Sequence, residues 1–159
     1  VLTGPRQSGK TTLLQHLFGR RCRYVSLEPP DIRAAAMSDP RTFLATYPPP
    51  VIFDEVQYTP DLLPYIKEKI DADRHTSGQF LLTGSQNLSL AEQVTESLAG
   101  RAAMLRLLPL SRREAEGRPQ LALPWEPEHR SSAPTSQAFG ELWNGFLRGG
   151  YPELATQPG

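Results

Sequence analysis

Gly4-Pro5-Arg6-Gln7-Ser8-Gly9-Lys10-Thr11 fits the pattern G-x-x-x-x-G-K-[ST]. Each residue type in it has a chemical reason. The two glycines let the backbone turn tightly and approach a ligand with no Cβ in the way. The N–H groups between them can point inward and cradle anionic oxygens. Lys10 brings a point charge to outer phosphates, and Thr11 offers a hydroxyl to Mg²⁺. A helix starting here adds about half a positive charge at its N-terminus. With glycine at about 7% of residues, an accidental match is expected in well under about one chain in a hundred of this length. The flanks agree. Val1-Leu2-Thr3 reads as the end of a strand, and Leu13, Leu14, Leu17 and Phe18 recur at the spacing of one helical face. Strand, loop and helix is the context in which this pattern makes a phosphate-binding loop.

The second chemical element is Val51-Ile52-Phe53-Asp54-Glu55. A short unbroken apolar run predicts a strand buried on both faces, as in a parallel sheet. Its two carboxylates fall at the C-terminal end, where open α/β sheets bind ligands. This is the form of a Walker B motif. Asp54 would hold Mg²⁺ directly or through its water shell, and Glu55 would polarise the attacking water. Three apolar residues and an acidic pair are common alone and read as a strand ending in a solvated turn. The upstream loop turns the reading towards chemistry.

Composition limits the function classes. The 159 residues suffice for one domain with a core. Lys+Arg is 17 and Asp+Glu is 17, so the formal net charge is zero. That gives no support for bulk attraction to nucleic acid or membranes, so a nucleic-acid partner is not expected. Cys22 is the single cysteine, which excludes an internal disulfide and fits a reducing cytoplasm. It reads as a buried small hydrophobe rather than a nucleophile. His16, His75 and His129 lack metal-ligand spacing. No apolar run reaches membrane-span length, and no signal peptide is visible. The chain opens on Val1 inside a strand, which reads as a piece of a longer protein.

Between and beyond these elements the sequence predicts alternating strands and helices. Tyr24 to Leu27 is β-rich, Asp31 is offered as a cap for an alanine-rich helix, and Asp39-Pro40 as a cap followed by proline at the first helical position. Thr59-Pro60-Asp61 starts a helix with Leu62, Leu63, Ile66 and Ile70 inward. Phe80-Leu81-Leu82-Thr83 is another apolar strand, leading into Gly84-Ser85-Gln86. Thr83 or Ser85 would lie beside the terminal phosphate if this strand neighbours the first; a turn with helix-capping hydroxyls is the equal alternative. Ser89 to Glu92 and Ser111 to Glu114 are capping boxes. Arg101, after the helix ending at Gly100, could reach a phosphate in its own subunit or a neighbour's; a surface arginine entering a strand at 102–107 reads at least as well. Residues 1–117 form the expected core. Residues 118–134, with four prolines and no periodicity, read as a loop or linker containing Trp125. Within 135–159, a helix carries Phe139, Leu142, Trp143, Phe146 and Leu147 on one face, expected to pack in the core.

Taken together, the chain resembles the bacterial and archaeal AAA-type ATPases that carry a C-terminal domain of unknown function. The residues are Leu2 to Leu13, then Phe53-Asp54-Glu55-Val56-Gln57, Leu82-Thr83-Gly84-Ser85, Ser97-Leu98-Ala99-Gly100-Arg101, Pro109-Leu110-Ser111 with Glu114, and Gly149-Gly150-Tyr151-Pro152. The first two motifs alone would say only P-loop ATPase. The resemblance implies an α/β, three-layer P-loop NTPase fold, a mostly parallel five-stranded sheet with helices on both faces. It implies ATP and Mg²⁺ as ligands, with Gly4, Pro5, Arg6, Gln7, Ser8, Gly9, Lys10, Thr11 and Thr12 lining the nucleotide. Thr11 and Asp54 would serve the metal and Glu55 would be the base. Thr83 or Ser85 matches the sensor strand. The resemblance implies a C-terminal domain continuing beyond Gly159, and the sequence shows no obvious helical lid after the core.

Three functions compete. An ATPase accounts for the loop and the Asp-Glu pair; a kinase would need an acceptor site that the sequence does not display. A slow nucleotide-dependent switch, acting on the missing domain, uses the same residues. A nucleic-acid motor lacks a basic stripe. A homo-oligomer would let Arg101 act in trans.

Overall fold

The computed structural model describes residues 1–85, 88–117 and 138–156. Two compact units divide the chain, Val1–Leu107 and Leu108–Gly159.

The first unit alternates strands and helices: β1 (Leu2–Gly4), α1 (Lys10–Phe18), β2 (Arg23–Ser26), α2 (Pro30–Ser38), α3 (Pro40–Thr46), β3 (Val51–Asp54), α4 (Leu63–Ala72), β4 (Phe80–Ser85), α5 (Leu88–Leu98) and β5 (Leu105–Arg106). The strands make one five-stranded sheet in the order β2-β3-β4-β1-β5. Every pairing is parallel. The expected α/β sheet is thus present, and fully rather than mostly parallel. Parallel neighbours require crossovers, which the intervening helices supply.

Alternation along β3 shows how the layers are filled. Val51, Ile52 and Phe53 are wholly buried, so the strand is covered on both faces. Val51 and Phe53 join a core with Phe43, Leu44, Leu63, Ile66, Leu82 and Leu98, contributed by α3, α4, β4 and α5. Ile52 faces the other way, into a smaller core with Leu2, Leu14 and Cys22 under α1. Helices therefore flank both faces. Cys22 is buried there, as a small hydrophobe would be. The apolar face expected for α1 is narrower than its spacing implied. Leu14 is buried, whereas Leu13 and Leu17 are 37% and 57% exposed. A nine-residue helix over a short parallel sheet contacts it along a narrow stripe.

Several caps follow their local chemistry. Asp39 accepts a hydrogen bond from Thr42 N at 3.0 Å and caps α3, with Pro40 at its first position. Asp31 does not cap α2; the helix begins at Pro30, whose fixed φ suits a first position, and Asp31 falls in the first turn. Before α4 the chain makes two 3₁₀ turns, Val56–Tyr58 and Pro60–Leu62. α5 begins at Leu88, one residue ahead of the Ser89 that the sequence offers as its cap. The fifth strand is two residues long against the six expected.

The second unit holds α6 (Arg112–Ala115), α7 (Phe139–Arg148) and α8 (Pro152–Thr156) among its described residues. Ser111 and Glu114 form a reciprocal capping box at α6. Leu110 N donates to Gly150 O at 2.6 Å, and a Cβ on Gly150 would stand 2.2 Å from Leu110 O. The motifs Pro109-Leu110-Ser111 and Gly149-Gly150-Tyr151 thus meet through backbone that only glycine lets approach so closely. Among the described residues, the core packing expected of α7 is not seen. Phe139, Trp143, Phe146 and Leu147 are all more than half exposed. Periodicity identifies the apolar face; it does not supply a partner, and the four-residue α6 and five-residue α8 offer no sheet to cover it. The expected linker at 118–134, with Trp125, lies outside the described residues, as do Gln86 and His129.

Candidate functional site

The parallel register gathers the chemistry at one edge of the sheet. β4 lies between β3 and β1, pairing Gly4 with Ser85 and Phe53 with Leu82. The strand carrying Thr83 and Ser85 therefore does neighbour the first. The glycine-rich loop, the Asp54-Glu55 pair and the Thr83-Ser85 end all leave the C-terminal edges of adjacent strands, where such sheets bind ligands.

The loop runs from the end of β1 to the start of α1. Gln7 and Gly9 are left-handed, with φ of 60° and 91°. Turns of this kind between right-handed residues direct successive N–H groups to one side. Gly9 is the N-terminal cap of α1, with no side-chain cap and no acidic residue in the first turn, so the positive helix end has no built-in anion. Gly4 is held by proximity: a Cβ there would lie 2.2 Å from Leu107 O. Gly4→Ala must shift backbone on one side or the other. Overpacking of this kind costs roughly 1–3 kcal/mol. The expected result is a melting temperature lowered by several degrees, read by circular dichroism.

Two polar side chains are buried in this loop. Ser8 is 4% exposed, and its Oγ has no hydrogen-bond partner. An unmade buried hydrogen bond costs roughly 1–3 kcal/mol. An anionic oxygen seated in the loop would satisfy it. Lys10 is equally buried, and its Nζ donates to Gly4 O at 3.1 Å and Pro5 O at 2.7 Å. Burial pulls its pKa below the ordinary lysine value, against the opposing pull of the Glu55 and Asp54 carboxylates.

Asp54, at the end of β3, collects three hydroxyls. Thr11 Oγ1 lies 2.9 Å from Oδ2 and 3.1 Å from Oδ1. Tyr24 Oη, from β2, donates to Oδ2 at 2.8 Å. Thr83 Oγ1, wholly buried on β4, donates to Oδ1. Burial, then the bond to Asp54, pushes the Tyr24 hydroxyl up to about 12, so it remains a neutral donor near neutral pH. Thr83 Oγ1 also accepts from Glu55 N at 3.1 Å. Among the described residues no three His, Cys, Asp or Glu side chains cluster as a metal cage. Thr11 and Asp54 instead offer a pair of hard oxygen donors.

Glu55 takes left-handed backbone, φ 60° and ψ 47°, rare for a residue with a Cβ. Such strain costs on the order of 1–3 kcal/mol and collects at functional sites. Gln57 Nε2 and Ser85 Oγ both donate to Glu55 Oε2, the latter at a long 3.4 Å. Of the other loop residues, Arg6 reaches Tyr58 Oη at 3.5 Å, while Gln7 and Thr12 are exposed and Pro5 half-buried.

Arg101 is not part of this cluster. Its Nε pairs with Asp71 Oδ1 at 2.8 Å, and its Nη1 donates to Ala99 O. The Arg101 guanidinium holds the Asp71 carboxyl below its usual range. This joins the end of α4 to the turn after α5. Arg101→Ala is expected to lower the melting temperature and leave nucleotide affinity unchanged, the two read together by a thermal shift with and without nucleotide. A cavity of about 640 Å³ in the second unit, beside Leu110, Leu142, Phe146 and Leu154, contains none of these groups.

A family described as an AAA domain matches residues 1–116. The chain belongs to this AAA domain family. Its members are P-loop NTPases, so nucleotide binding is common ground for this domain. Two relatives, an uncharacterized protein of Mycobacterium bovis and one of Mycobacterium tuberculosis, are each 33% identical over 159 residues. Each alignment takes in 98% of this chain and 30% of the relative. The chain thus spans about 30% of the length of the curated relatives it matches. Among the described residues, no helix is long and apolar enough to cross a membrane.

Sequence reasoning gave no role to Tyr24 or Gln57. Tyr24 reads locally as a β-former; only the β2–β3 pairing aligns its strand with Asp54. Gln57 had a weak signal, a polar residue two positions after a paired carboxylate and ahead of an apolar helix.

Proposed function

We propose that this AAA domain binds ATP with Mg²⁺ and hydrolyses it. The observation that carries the reading is the Asp54 carboxylate, tied to Thr11 at the head of α1 and to Thr83 on β4, with Glu55 the next residue along. The loop N–H groups, the orphaned Ser8 hydroxyl and Lys10 fit phosphate oxygens. Thr11 and Asp54 fit Mg²⁺, which takes few protein oxygens and keeps substrate oxygens and water for the rest. When bound, the ion would neutralise charge on the outer phosphates. Lys10 leaves the Gly4 and Pro5 carbonyls for a phosphate oxygen. Thr83 holds the Glu55 backbone through its N–H, and Ser85 steadies the carboxylate. Glu55 accepts a proton from water at the terminal phosphate.

In the longer protein, the nucleotide cycle acts on the part outside this domain, and a homo-oligomer and a cytoplasmic location fit this reading. The test is ATP binding and phosphate release with Mg²⁺. Turnover near or above about 1 s⁻¹ agrees with an enzyme, whereas tight binding with far slower turnover would make the domain a switch. Transfer to an added acceptor in place of water would sink the hydrolytic reading. Turnover is expected to be unchanged by DNA or RNA.

A further inference from the structure

Gln57 is built around the carboxylate of Glu55. The left-handed Glu55 starts a 3₁₀ turn in which Tyr58 N donates to Glu55 O at 3.1 Å and Thr59 N to Val56 O at 3.0 Å. That turn folds Gln57 back on its neighbour, where Nε2 donates to Glu55 Oε2. Only the NH₂ end of an amide can face a carboxylate oxygen favourably, so the amide orientation is fixed by chemistry. Gln57 Oε1 is then left buried with no hydrogen-bond partner. Ser85 Oγ adds a second donor to the same Oε2. Among the described residues, nothing donates to Glu55 Oε1. Two neighbouring side chains thus each keep one acceptor unpaired, and a water molecule has two hydrogens to donate.

We propose that Gln57 sets the hydrolytic step by holding Glu55 through Nε2 and accepting one hydrogen of the attacking water at Oε1. This rests on the function proposed above and assigns a further residue to it. The water oxygen forms a bond to the terminal phosphorus, and the bond from that phosphorus to the bridging oxygen breaks. Its electron pair leaves with the nucleoside diphosphate. One water proton goes to Glu55 Oε1; the other stays on the new phosphate, having been held by Gln57 during the approach. The amide neither gains nor loses a proton. It supplies orientation, the kind of contribution by which misplacement of about 1 Å costs on the order of a hundredfold in rate.

The experiment is a double-mutant cycle in Mg-ATP, with kcat, KM and ADP affinity measured for wild type, Gln57→Met, Glu55→Gln and the double variant. Methionine keeps the length and volume of glutamine while removing its donor and acceptor. Gln57→Met is expected to lower kcat by about tenfold to a hundredfold, with KM and ADP affinity unchanged. In the Glu55→Gln background it is expected to have no further effect, because the two side chains act on one water. An independent, multiplicative loss in that background would overturn the inference. So would wild-type or faster turnover in Gln57→Met, the latter marking Gln57 as a restraint on the base, and so would a loss confined to ADP binding. A wild type that releases no phosphate removes the proposed function and this inference with it; a wild type that turns over while Gln57→Met matches its rate removes the inference alone.

Discussion

Glu55→Gln is expected to bind ATP as wild type does and to release almost no phosphate. The substitution keeps size and shape but removes the lone pair that takes the water proton. A positioned general base contributes about 10²–10⁴-fold, so the rate should fall by about that factor. This corresponds to roughly 3–5 kcal/mol of barrier, at about 1.4 kcal/mol per decade. Binding should survive because the loop, Lys10 and the Asp54 cluster do not depend on the Glu55 side chain. Thr83 contacts Glu55 through its backbone N–H, which the substitution leaves in place. Equilibrium binding of a fluorescent ATP analogue and phosphate release, each with Mg²⁺, separate the two properties. Normal hydrolysis by Glu55→Gln would show that another group activates the water.

The residues of this site differ in how local their information is, and that decides what the sequence discloses. The loop is legible because its chemistry is contiguous: two glycines, a lysine and a threonine act through backbone they themselves shape. The buried β3 is legible because an unbroken apolar run has few other places to go. The Asp54 cluster is different. Thr11, Tyr24 and Thr83 come from α1, β2 and β4, and only the strand order β2-β3-β4-β1-β5 brings them to one carboxylate. That order is a long-range property; the sequence could state only that Thr83 would matter if its strand neighbours the first. Arg101 shows the reverse limit. A cation after a helix has many acceptors within reach, and Asp71, thirty residues away, is the one that holds it. The face of α7 shows a third. Its spacing is right for a buried helix, yet no element among the described residues covers it, because apolar periodicity names a face and not a partner.

Lys10→Ala is expected to weaken ATP binding by about 10- to 150-fold, the loss that follows from removing a charged hydrogen bond of roughly 1.5–3 kcal/mol. The structure places Nζ on two loop carbonyls, in a site nearly closed to water. Exchange of those carbonyls for a phosphate oxygen trades neutral acceptors for an ionic one, and low exposure protects the attraction from screening. Affinity for adenosine, which carries no phosphate, should not change. Loss of adenosine binding too would mean that the loop had collapsed. A second variant guards against that outcome. Burial disfavours the ammonium in the fold, so the charge itself does not support stability at neutral pH. Lys10→Met keeps the aliphatic stem and removes that charge; its melting temperature should match or exceed wild type while its ATP affinity falls like that of Lys10→Ala. A methionine variant that melts lower, with affinity lost in proportion, would make Lys10 a strut of the loop and not its phosphate ligand.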